Sequence, residues 1–211
     1  MYIKQMLSEK YGEKMVEQGG LKIYTTIDLY KQKIAEETIK EIAAKNEKKY
    51  QAKNAALVSI DPKTGEILAM VGSRDYFDDE IDGQVNVATS LRQPGSSIKP
   101  IVYAAAFAKG YTPNTVLYDV VTNFSNDPSK PYEPHNYDLK ERGPITMRTA
   151  LAGSLNIPAV KTLYLAGVEN VQKLAQGLGY TSLNDKNRFG LSLVLGGGEV
   201  KLIEHVNAYS A

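Results

Sequence analysis

The stretch Arg92-Gln93-Pro94-Gly95-Ser96-Ser97-Ile98-Lys99-Pro100, followed by IVYAAAFAKG, constrains the fold more than any other part of the chain. A Pro-Gly turn delivers the backbone into an alanine-rich helix that carries no charge until Lys109 and stops at Gly110. A helix that is apolar all round needs other elements packed about it. The chain has 211 residues, 43% of them hydrophobic, which is enough for one good-sized domain with a buried core.

The remaining pattern predicts a small sheet with many helices, an α+β arrangement. Residues 4–18 are polar and helix-prone, and Gly19-Gly20 stops them. Leu21 to Thr26 alternates and is rich in β-branched residues, which predicts a strand. Asp28 is placed to cap a long helix over Leu29 to about Lys49, with a solvated, charge-rich face. AALVSI (55–60) and EILAMV (66–71) flank Asp61-Pro62-Lys63-Thr64-Gly65, which reads as a hairpin. Residues 74–84 read as loop and 111–144 as irregular. Helices are expected from near Thr146 to about Gly153, over Pro158–Leu165, over 168–178 and from 199 onward. Gly196-Gly197-Gly198 reads as a turn into that last helix. Glu199 to Ala211 carries no stop signal, so the chain is expected to be part of a longer domain.

Composition removes several function classes. A net charge of +1 lacks the basic excess of a nucleic-acid binder. The absence of cysteine excludes disulfides and thiolate metal sites. The two histidines, His135 and His205, sit in no recognisable motif, so neither a multi-histidine metal site nor a Ser-His-Asp triad is indicated. No apolar run approaches a membrane span, and the first residues lack the apolar centre of a signal peptide.

Ser96 and Lys99 are the chemical candidates. Positions i and i+3 of a helix share a face, so hydroxyl and amine can meet. A serine hydroxyl needs a base, and a lysine supplies one if burial and the positive end of a helix dipole keep it neutral. The helix start also offers backbone N–H groups to a developing oxyanion. Spacing by itself is weak: 12 serines and 20 lysines produce about one Ser-x-x-Lys pair by chance, and Ser96 could simply cap a helix. The turn before it, the apolar helix after it and the blocks downstream raise it above chance.

Six blocks, in order, resemble the transpeptidase domain of class A (bifunctional) penicillin-binding proteins. They are GGLKIYTTID (19–28), AALVSIDPKTGEILAMVG (55–72), RQPGSSIKPIVYAAAF (92–107), EPHNYD (133–138), ITMRTALAGSLNIPAVK (145–161) and LSLVLGGGEV (191–200). The resemblance implies the penicillin-binding/serine β-lactamase-like fold, here a fragment with part of an antiparallel sheet and a helical lobe. It implies residues 1–50 as a lead-in and 51–211 as the N-terminal part of the domain. The family carries Ser-x-x-Lys, Ser-x-Asn and Lys-Thr-Gly motifs. Ser-Leu-Asn occurs twice; Ser154-Leu155-Asn156 matches its family block, whereas Ser182-Leu183-Asn184 lies in a polar loop. Lys63-Thr64-Gly65 precedes the nucleophile and belongs to the hairpin turn, so the true Lys-Thr-Gly strand is expected beyond Ala211.

By that resemblance Ser96 is the acylated nucleophile, Lys99 its base and Ser154 a proton relay to the leaving amine. Asn156 binds the substrate backbone and orients Lys99. The implied reaction is D,D-transpeptidation of D-Ala-D-Ala stem peptides, without metal or organic cofactor. The implied partners are peptidoglycan stem peptides on lipid II-derived strands, and β-lactams. The implied place is the extracytoplasmic face of the membrane, held by an anchor and preceded by a glycosyltransferase half, both outside this chain. A D,D-carboxypeptidase or β-lactamase-type hydrolase and a non-catalytic β-lactam sensor are the alternatives. His135 and Tyr137 are read as loop packing and His205 as a surface or core residue.

Overall fold

The computed structural model describes residues 2–125, 127–185 and 188–211. They cluster into two units, one up to Ser90 and one over Leu91–Tyr209.

In the first unit the expected N-terminal helix is two helices, α1 (Tyr2–Tyr11) and α2 (Glu13–Gln18). Gly12 between them adopts φ +82°, which breaks the helical path. The Asp28 carboxylate accepts from the N–H groups of Tyr30 and Lys31 and so starts α3 (Leu29–Tyr50). Only Ala35, Ile39 and Ala43 of α3 are buried, a stripe at i, i+4 and i+8. Ala35 and Ile39 pack on Ala69 and Val71 of the hairpin, and the charged remainder faces solvent. The hairpin pairs β1 (Leu57–Ile60) with β2 (Ile67–Val71), antiparallel, with a bulge between Ser59 and Ile60. Its turn closes through the Gly65 N–H to Asp61 O at 2.8 Å, with Gly65 at φ +74°. Lys63-Thr64-Gly65 is that turn.

Residues 21–26 form no strand, contrary to their alternation. The segment meets β2 through the Asp28 N–H to Leu68 O and the Thr26 hydroxyl to Ile67 O, which is no ladder. Ile23 and Tyr24 are both exposed, so no buried face rewards the alternating pattern.

The second unit is built about the apolar helix. It runs through β3 (Leu91–Arg92), α4 (Lys99–Ala108), β4 (Val116–Asp119), β5 (Gly143–Thr146), α5 (Met147–Ala152) and α6 (Asn156–Ala166). Then come α7 (Val168–Gly177), β6 (Val200–Lys201) and α8 (Leu202–Ala208). Helix α4 packs on α6 and α7. Val102 and Ala106 on α4, and Ala159, Val160 and Leu163 on α6, are wholly buried. Each such valine or leucine contributes about 1.5–3 kcal/mol of hydrophobic stabilisation.

The stretch 111–144 is less irregular than its composition suggests, because β4 and β5 pair antiparallel from Val116↔Thr146 to Asp119↔Gly143. Pro144 sits in β5, a residue that a strand tolerates at an edge. The short β3–β6 pair ties Leu91-Arg92, just before the Pro-Gly turn, to Val200-Lys201. Helix α6 begins at Asn156, two residues before the expected Pro158, so the proline falls within the first turn. The last helix is shorter than expected, because β6 precedes it.

Candidate active site

Pro94 and Gly95 turn the chain, Gly95 at φ +56°, into a 3-10 turn over Gly95–Ile98 that runs straight into α4. In a 3-10 turn residues three apart eclipse, which sets Ser96 and Lys99 on one side. Ser96 is exposed, and among the described residues its hydroxyl has no hydrogen-bond partner. Beneath it, Gly196 lies so close that an added Cβ would come within 2.5 Å of Gly95 N and Cα. The LGGGEV block therefore supports the turn by close backbone contact.

Lys99 is 1% exposed. Its Nζ donates to Ser154 O at 2.6 Å and to Asn156 Oδ1 at 2.8 Å, and lies 3.3 Å from Ser154 Oγ. Burial pulls its pKa down from 10.5 to about 8. The count of hydrogens matters here. Two partners, the carbonyl and the amide oxygen, only accept, and a neutral amine has two N–H bonds for them. Its lone pair is then left for the Ser154 hydroxyl. A protonated amine uses its third N–H on the same oxygen. Ser154 Oγ is thus the one contact whose direction reverses when Lys99 gains or loses a proton. The hydrogen bond expected between Ser96 and Lys99 is not made, because the amine is held by the other side of the site.

Ser154 carries a backbone feature with no signal in the sequence: φ is +50°. Its N–H bonds Leu151 O and the Leu155 N–H bonds Ala150 O, the paired hydrogen bonds of a Schellman helix end. Glycine normally fills that position. Here it turns the Ser154 carbonyl and hydroxyl together toward Lys99.

Asn156 is seated by residues that the sequence did not nominate. Its side-chain N–H donates to His135 O at 3.0 Å, which fixes Oδ1 toward Lys99. Its backbone N–H and that of Ile157 both donate to Asn136 Oδ1. Asn136, buried, therefore caps α6 from a distant loop. The Asn136 amide donates in turn to both oxygens of Asp119 and to Lys140 O. Asp119 is fully buried at the end of β4, and Arg142 approaches it at 3.6 Å. A continuous polar path thus runs from Arg142 through Asp119, Asn136 and Asn156 to the Lys99 amine. Asn136 lies inside the EPHNYD block, which was the available hint.

The profile described as "Penicillin binding protein transpeptidase domain" matches residues 55–197, more than half of the chain. The chain belongs to this family. Penicillin-binding protein 2D of Bacillus subtilis is 39% identical over 208 residues, covering 97% of this chain and 29% of that protein. Penicillin-binding protein 1A of Aquifex aeolicus is 42% identical over 156 residues, 73% of this chain and 20% of that one. The chain thus spans less than a third of the length of these curated relatives. The crystal structure of penicillin-binding protein 1A from Haemophilus influenzae matches with a TM-score of 0.66 at 34% identity, over 74% of this chain and 23% of that one. PonA1 from Mycobacterium tuberculosis, solved in complex with penicillin V, shares the fold: TM-score 0.76 at 22% identity, covering 99% of this chain and 56% of that one. The resemblance drawn from the six blocks, to the class A proteins, agrees with these relatives.

Within this penicillin-binding transpeptidase fold, Ser96, Lys99, Ser154 and Asn156 all fall in the second unit, and the last three are directly hydrogen-bonded. Other sequence candidates lie elsewhere. Ser182 donates to Glu199 O and Leu183 is buried, so the second Ser-Leu-Asn is a packed turn. His135 contributes only its carbonyl to Asn156, and Tyr137 is fully exposed. His205 is half-buried and hydrogen-bonded through both ring nitrogens.

Proposed function

We propose that this chain carries the acylation machinery of a peptidoglycan D,D-transpeptidase, with Ser96 as nucleophile, Lys99 as base and Ser154 as proton relay. The observation that carries the reading is the buried Lys99 amine, its pKa drawn down to about 8, shared by Ser154 and Asn156 one turn from a Ser96 hydroxyl that has no partner among the described residues. Ser96 Oγ attacks the penultimate D-alanine carbonyl while its proton passes to Lys99 Nζ, whose lone pair turns from Ser154 Oγ to Ser96 Oγ for this step. The tetrahedral intermediate collapses, and Ser154 Oγ hands a proton from Lys99 to the departing D-alanine amine. An amine of a second stem peptide then attacks the acyl-enzyme, its proton passing by way of Lys99 to Ser96 Oγ as the ester breaks, which frees Ser96 and forms the crosslink. Asn156 holds Lys99 through Oδ1 and meets the backbone of the stem peptide. A β-lactam takes the place of D-Ala-D-Ala and remains on Ser96.

On this reading residues 1–50 lead into the domain and 51–211 form its N-terminal part. The protein works at the extracytoplasmic face of the membrane on lipid II-derived strands. Among the described residues no helix is long and apolar enough to cross a membrane. The test is labelling of the protein at its natural length with a fluorescent penicillin, followed by mass spectrometry of the adduct. The adduct is expected on Ser96, and Ser96→Ala is expected to abolish it. Labelling that survives Ser96→Ala refutes the assignment.

A further inference from the structure

A second polar cluster lies directly behind the nucleophile turn. Ser97 Oγ is 2.6 Å from Pro94 O and 2.9 Å from His205 Nε2. His205 Nδ1 is 2.6 Å from the hydroxyl of Tyr180, which is 2% exposed. Tyr209, one helical turn beyond His205, donates its hydroxyl to Ser97 O, and its ring meets His205 edge-on at 5.1 Å. The cluster invites comparison with a nucleophile, a base and an orienting group, with Ser97 in the first role.

Proton counting decides against that comparison. Pro94 O can only accept, so at 2.6 Å the single hydroxyl hydrogen of Ser97 must lie between the two oxygens. Ser97 Oγ therefore accepts from His205, and Nε2 carries the ring hydrogen. Burial lowers the pKa of His205 and raises that of Tyr180, so the imidazole is neutral and the phenol intact. Nδ1 is then bare and accepts from Tyr180. The donors run one way: Tyr180 to His205, His205 to Ser97, Ser97 to Pro94. No basic nitrogen faces the Ser97 hydroxyl hydrogen.

We infer that His205 is a positioning residue for acylation: through Ser97 it braces the Pro94–Ser97 turn and so holds the neighbouring Ser96 hydroxyl in place. The inference rests on the proposed acylation of Ser96. Pro94 and Ser97 belong to the turn, whereas Tyr180 lies three residues beyond α7, His205 in α8 and Tyr209 at the C-terminal cap of α8. The brace therefore ties the reactive turn to a segment 108 positions further along the chain. Conversely, Ser97 is a structural hydroxyl in spite of its exposure and its histidine.

Two measurements test this. Nitrogen-15 NMR of the histidine rings at neutral pH should show His205 protonated at Nε2 and bare at Nδ1; the opposite tautomer overturns the inference. The second is the rate of acylation by a fluorescent penicillin in the protein at its natural length. His205→Leu should slow it about tenfold, the worth of one hydrogen bond. His205→Gln, which returns an N–H near the position of Nε2, should restore it to within about twofold of the parent. His205→Leu combined with Ser97→Ala should be no slower than His205→Leu alone. An unchanged rate in both His205→Leu and Ser97→Ala overturns the brace. An unlabelled parent protein instead removes the proposal for Ser96, and the tautomer measurement then still judges the cluster.

Discussion

Replacing Ser154 by glycine and by alanine separates the strain at that residue from its chemistry. Ser154 has φ +50° at the end of α5, where an L-residue costs about 1–2 kcal/mol and glycine does not. Alanine keeps the full cost. Glycine removes it but gains freedom in the unfolded chain worth about 0.5–1 kcal/mol. Both lose the same 3.3 Å contact to Lys99, so that contribution cancels between them. Ser154→Gly should therefore be more stable than Ser154→Ala by about 0.5–1 kcal/mol, which moves the transition of a 211-residue chain by roughly 1–4 °C. Both should lose acylation alike, by about 10²–10⁴-fold, if the hydroxyl relays a proton. Thermal or urea unfolding reads the first quantity and penicillin acylation the second. A glycine variant no more stable than the alanine variant refutes the helix-end argument. Either variant acylating at the parent rate refutes the relay.

Two further predictions follow from the same site. Lys99 has a folded pKa of about 8 against 10.5 in the unfolded chain, so the unfolded state holds more protons between those values. Stability must therefore rise with pH in that window, by about 3 kcal/mol in full, and acylation should rise to half its maximum near pH 8. Tyr103, whose pKa burial raises to about 12, opposes this above about pH 10, so urea titrations belong below that pH; Lys99→Met should remove most of the stability slope, leaving the part due to Lys161, whose pKa burial also lowers, and should abolish acylation. Asn136→Ala leaves the first two N–H groups of α6 without their acceptor and should cost about 2 kcal/mol by urea unfolding. Asn136→Asp sets a second carboxylate against buried Asp119 and should cost more, about 3–5 kcal/mol; equal stability of the two variants would contradict the amide's role as donor to Asp119.

Local signals in the chain were legible where their physics is local. Asp28 caps α3 because its carboxylate reaches N–H groups two and three residues away. The Pro94-Gly95 turn, the apolar α4 and the Asp61–Gly65 hairpin depend on neighbours in sequence in the same way. The segment 21–26 shows the limit of such reasoning. Its alternation was real, but strand formation depends on what covers a face, and Ile23 and Tyr24 stay exposed.

Sequence blocks named Ser96, Lys99, Ser154 and Asn156 as the groups of interest, and periodicity placed Ser96 and Lys99 on adjacent turns. Only the tertiary structure decided how those groups are held. The contact from Lys99 to Asn156 spans 57 positions, that from Asn156 to Asn136 spans 20, and that from His205 to Ser97 spans 108. No helical or strand period links residues so far apart. They meet because burying α4 against α6 and α7 brings their ends together. There, each buried polar atom must find a partner from whatever part of the chain arrives.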